Sequence, residues 1–81
     1  DKSGQATTLN NIAAVYSSLG DKQQALKFYN QSLPLTIEVG DKSGQATTLS
    51  NIAYLERDRG NLEESLKQIQ AAIQIIENLR T

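Results

Sequence analysis

The sequence predicts an all-α chain of two tandem helix-turn-helix repeats, four antiparallel helices in all, as a fragment of an α-solenoid. Three observations predict it: the chain repeats itself at a fixed offset, its apolar residues fall at helical spacing, and glycine turns separate the helical stretches evenly. Residues 1–9 read DKSGQATTL, and residues 41–49 read DKSGQATTL again. NIA recurs at 11–13 and 51–53, and Gly20, Leu26 and Lys27 match Gly60, Leu66 and Lys67, always at an offset of 40 without insertion. Self-similarity at such a period marks stacked repeat architectures. Residues 1–40 therefore form one unit and residues 41–81 a second.

Each element follows from local chemistry. The first helix, expected over 3–19, places Leu9, Ile12, Ala13 and Tyr16 at i, i+3, i+4 and i+7, on one face. Gly20 tolerates the left-handed conformation that ends a helix, and Asp21 can cap the next by accepting a backbone N–H. The second helix, over 22–39, carries Ala25, Leu26, Phe28, Tyr29, Ser32, Leu33 and Ile37. Pro34 within it removes one backbone bond and crowds the preceding turn. A kink with the helix continuing to about Val39 is expected; the alternative ends the helix at Ser32 or Leu33. Gly40 and Asp41 repeat the stop-and-start signal. The third helix, over 43–59, carries Leu49, Ile52 and Ala53. After Gly60 and Asn61, the fourth, over 62–79, carries Leu62, Leu66, Ile69, Ile73 and Ile76. No segment alternates as a strand would.

Composition narrows the function. The 81 residues hold 38% hydrophobic and 21% charged side chains with a net charge of −1, an ordinary globular balance. No surplus of Lys and Arg exists to neutralise phosphates, so nucleic acid is not an expected partner. No apolar run nears the ~20 residues that span a bilayer, and no basic-then-apolar leader is present, so no membrane role is expected. Histidine and cysteine are both absent, which removes the commonest general base and the usual metal and haem ligands. No enzyme active site, cofactor or metal is expected. A cysteine-free chain suits a reducing compartment, and the expected location is the cytoplasm. The first residue, Asp1, is not Met, so the chain reads as a piece of something longer. DKSG lacks the GxxxxGK[ST] pattern of a phosphate loop, and the adjacent Glu63 and Glu64 point in different directions.

The pattern of Leu9, Ile12-Ala13, Tyr16, Gly20, Ala25, Tyr29 and Ser32 resembles the tetratricopeptide repeat. The second unit is similar at Leu49, Ile52-Ala53, Gly60, Ser65, Ile69 and Ala72. It departs from the pattern where Glu56 takes the Tyr position, and both units lack the family's Trp and the Pro that closes the second helix. The period of 40 exceeds the standard ~34, as in longer-period variants similar to kinesin light chain repeats. The segments DKSGQATTLNNIA and YSSLGDKQQALKFYNQSLPL also resemble arrays in bacterial, especially cyanobacterial, proteins. Such arrays often precede a caspase-like peptidase domain of the CHAT type.

The resemblance implies protein–protein interaction, with the first helix of each pair lining a concave surface. The side of the first helix opposite its apolar stripe carries Thr7, Asn10, Asn11, Ala14 and Ser18. The equivalents are Thr47, Ser50, Asn51, Tyr54 and Asp58, and together these make a candidate groove for a peptide or protein ligand. In the family, Asn at the position of Asn11 and Asn51 commonly bonds a peptide's main chain. An amide offers both donor and acceptor. The same residues would also serve as an ordinary solvated face, and the cluster Glu56, Arg57, Asp58, Arg59 reads as a solvated helix end, the alternative being a salt-sensitive recognition patch. The fourth helix has too many apolar positions for one narrow stripe. Ala72, Ile75, Ile76 and Leu79 are candidates for an outward face through which the fragment self-associates.

Overall fold

Aspartates start three of the four helices. In the computed structural model, which describes residues 1–80, the Asp1, Asp21 and Asp41 carboxylates accept from the backbone N–H groups of Gly4, Gln24 and Gly44. These are donors that a helix start leaves unpaired. The helices so opened are α1 (Lys2–Ser18), α2 (Lys22–Glu38) and α3 (Lys42–Asp58), followed by α4 (Leu62–Arg80). α1 and α3 begin one residue ahead of the sequence expectation because the aspartate itself is the cap. The repeated DKSG is thus a helix start. A Cβ on Gly4 or Gly44 would press against the capping carboxylate.

The helix ends are equally local. Gly20, Gly40 and Gly60 take φ of +83°, +74° and +87°, a region that costs other residues strain. Each glycine N–H bonds back to Ser17, Ile37 or Arg57, and the following N–H of Asp21, Asp41 or Asn61 reaches the carbonyl of Tyr16, Thr36 or Glu56. This paired closure satisfies carbonyls that the helix end leaves free. Asp21 and Asp41 therefore close one helix with the backbone and open the next with the side chain. α2 runs through Pro34 to Glu38 and does not stop at Ser32 or Leu33. Pro34 is exposed, as is Asn30, the residue whose carbonyl it leaves without a helical partner.

Chain order is also spatial order: α1 packs on α2, α2 on α3 and α3 on α4. Fully buried Ala13 and Ala25 let α1 and α2 approach closely, and Leu26 and Tyr29 of α2 meet Ile52 and Leu55 of α3 in the same cluster. A second cluster gathers Ala46, Leu49 and Ala72, with Leu33 and Ile75 against it. Two buried serines tie the helix pairs. Ser32 donates to the Ala6 carbonyl at 3.0 Å, and Ser65 donates to the Ala53 carbonyl at 2.8 Å. Each hydroxyl is satisfied across the helix contact, as burial requires.

Glu56, which takes an aromatic position of the repeat pattern, is half-buried. Its Oε1 accepts from Asn61 Nδ2 at 3.1 Å and from Arg59 at 3.4 Å. In the first repeat the equivalent Tyr16 stacks on Phe28, with centroids 5.6 Å apart.

One expectation for α4 is corrected. Ala72 is 2% exposed and packs with Ala46 and Leu49, so it belongs to the α3–α4 contact and not to an outward face. Ile75 is half-buried against the same cluster, while Ile76 and Leu79 are exposed. The last residue of the second unit, Thr81, lies outside the described residues. Among those described, no helix is long and apolar enough to cross a membrane.

Candidate functional site

Because α2 runs antiparallel to both neighbours, α1 and α3 point the same way and can present matching stripes. Thr7, Asn11, Ala14 and Ser18 follow one another at spacings of four, three and four on α1. Thr47, Asn51, Tyr54 and Asp58 do so on α3, which keeps each set on one helix face. All are exposed except Asn51, which is half-buried. Among the described residues, none bonds the side-chain amide of Asn11 or Asn51. Each amide keeps its donors and acceptor for an outside group.

The other positions are more committed. Thr7 Oγ1 donates to the Ser3 carbonyl at 3.1 Å within its own helix. Asp58 pairs with Lys22 Nζ at 3.5 Å, tying the end of α3 to the start of α2. Asn10 is half-buried, and its Oδ1 accepts from Thr48 Oγ1 at 3.4 Å. Thr48 is fully buried, so Asn10 stands in the seam between the repeats and not on the open face. Ser50, its counterpart in the second repeat, is also half-buried.

The structure brings together residues that the sequence placed on separate surfaces. Thr47, Ser50 and Asn51 of α3 share a cleft of about 320 Å³ with Ile76 and Leu79 of α4, with Ser43 and Ala46 completing its wall. Amide and hydroxyl groups form one side, and two aliphatic side chains form the other.

The sequence reads Arg57 as part of a solvated helix end, with a salt-sensitive recognition patch as the alternative. Its guanidinium lies 5.1 Å from the centroid of the Tyr54 ring, within cation–π range. The i, i+3 spacing of the two residues was the available signal. The first repeat has Ala14 and Ser17 at these places, so the second presents the larger and more charged surface. Among the described residues, no group of three or more His, Cys, Asp or Glu side chains could hold a metal ion.

The sequence model of the family described as tetratricopeptide repeat matches the chain twice, over residues 5–39 and 45–79. Each match covers most of one helix pair, and the two are offset by the same 40 residues as the internal repeat. No curated protein matches the chain.

Proposed function

The chain belongs to the tetratricopeptide repeat family, and on that premise we propose that it binds an extended segment of another protein along the exposed face of α1 and α3. Repeats of this family generally mediate protein–protein interaction and are typically non-catalytic scaffolds. The observation that carries the proposal is the pair of unbonded amides. Asn11 and Asn51 occupy equivalent places on helices that run the same way, so one extended main chain can meet both. Tyr54, with Arg57 against its ring, adds contact area at low entropy cost, and the cleft beside Ile76 and Leu79 seats an apolar side chain. The cysteine-free sequence fits action in the cytoplasm.

A displayed library of random peptides, selected on the 81-residue chain, tests the reading. Selected peptides are expected to lose affinity about ten-fold on Asn11→Ala or Asn51→Ala, the scale of one or two hydrogen bonds. Helicity should stay unchanged. Selected peptides that bind both variants and Tyr54→Ala as well as the parent chain would refute it.

A second reading makes the repeats an assembly element, or a spacer that regulates an attached peptidase domain of the CHAT type. One observation favours its assembly half: Leu66, Ile69, Ile73 and Ile76 form an exposed apolar strip on α4.

A further inference from the structure

The junction between the two repeats shows what such a strip fits. There, Leu26 and Tyr29 of α2 close on Ile52 and Leu55 of α3 in one buried cluster. The Lys22–Asp58 pair joins the start of one helix to the end of the other, as expected for antiparallel neighbours. Moving along the sequence by the repeat offset of 40 carries each side of this junction to an outer face of the molecule.

On the α2 side, Leu26, Tyr29, Leu33 and Thr36 become Leu66, Ile69, Ile73 and Ile76 of α4. Tyr29 and Thr36 are buried, yet their counterparts Ile69 and Ile76 are 38% and 44% exposed. The α4 strip is thus more apolar than the covered strip it repeats. With Leu62 it follows a four-three-four-three spacing, the pattern of an interlocking helix seam. On the α3 side, Thr48, Ile52 and Leu55 become Thr8, Ile12 and Val15 of α1. Val15 is 59% exposed where Leu55 is 1%. An open cleft of about 600 Å³ lies over Gln5, Thr8 and Leu9, whose counterparts Gln45, Thr48 and Leu49 are buried or half-buried.

We infer that α4 of one copy docks on α1 of a second copy, head to tail, remaking the α2–α3 junction between chains. Identity of the repeats supports this occupant: residues 1–9 of α1 and its cap are the same as residues 41–49, of which Ala46 and Leu49 already pack with Leu33 of α2. Charge supports it as well. No charged residue stands between Lys2 and Asp21, so beyond Lys2, which pairs with Glu38 of its own chain, α1 brings no ion to be desolvated against an uncharged strip. The Lys22–Asp58 pair of the internal junction becomes Leu62 opposite Ser18, so the docked contact has no salt-sensitive counterpart of that pair. The contact is heterologous, using different faces of the two copies, and each docked copy leaves one face of each kind free. Growth therefore continues past the dimer unless a ring closes.

Light scattering on the full 81-residue chain from about 5 µM to about 1 mM tests the inference, with Val15→Lys and Ile73→Lys as probes of the two faces. The parent chain is expected to rise in weight-average mass about two-fold or more, and each variant alone to stay monomeric. Mixed together, the variants restore one intact α4 strip and one intact α1 face, and a one-to-one pair is expected. A parent chain that stays monomeric throughout overturns the inference, whatever the variants do, because something other than a second copy then covers the strip. Assembly of Val15→Lys like the parent also overturns it, because α4 would then pair with α4. Circular dichroism checks that both variants remain helical. Asn11→Ala and Asn51→Ala are expected to leave assembly unchanged, so the groove can fail without affecting this result.

Discussion

Ile12 and Ile52 stand in the same tripeptide, Asn-Ile-Ala, at the same place in the same helix of two successive repeats. Ile52 is 2% exposed, whereas Ile12 is only half-buried. The Leu26–Leu66 comparison runs the other way, with 5% exposure in the first repeat and 57% in the second. Neither difference has a local cause. α2 and α3 each have a neighbour on both sides, while α1 and α4 each have one. In a stack of units that contact only their neighbours, burial belongs to the position in the stack and not to the residue pattern.

Substitution of the leucine pair should break this comparison most visibly. Leu26→Ala is expected to lower unfolding stability by about 3 kcal/mol, through lost transfer energy and a residual cavity. Leu66→Ala, removing the same atoms from an exposed site, is expected to cost under about 1 kcal/mol. Denaturant midpoints of the two variants measure the contrast. Equal losses would mean that the outer strip is covered in solution, as it would be in an assembled chain, so the measurement belongs at micromolar concentration.

A smaller effect sharpens a second difference. The Tyr16–Phe28 stack of the first repeat is replaced in the second by Glu56, held by Asn61 and Arg59, and by Gln68, which donates to Glu64 at 2.8 Å. Phe28→Gln copies the second repeat's residue into the first and should cost about 1–2 kcal/mol, since ring stacking adds to area burial. Thermal melts should show the loss. No change would mean that the stack contributes nothing beyond the polar arrangement that replaces it.

These contrasts also mark what the sequence could reveal. Helix identity and turn chemistry were legible because they are local: aspartate caps, glycines at positive φ and small residues at helical spacing each act within a few positions. Ala72 was misplaced because α4 is rich in apolar residues on more than one side, and hydrophobicity alone does not say which side meets α3. Size does. Ala72 repeats the place of Ser32, which is also fully buried, and both are small enough for a close helix contact. Asn10 and Asn11 look alike in sequence, and only the placement of α3, through Thr48, separates the seam from the open face. Glu56 departs from the repeat pattern at an aromatic position. Its partner Asn61 stands where the other turns have aspartate, so the two exchanges compensate each other.

The central claim is that position in the stack, not local sequence, sets how firmly each helix is held. Hydrogen exchange at micromolar concentration, read by mass spectrometry, tests it directly, because matched peptides from α1 and α3 share the stretches around Ile12 and Ile52. Identical neighbours give those two amides nearly the same intrinsic exchange rate, so a difference in protection reports structure alone. The account predicts slower exchange at Ile52 than at Ile12, with α2 and α3 outlasting α1 and α4. Equal protection of the two Asn-Ile-Ala segments would contradict it.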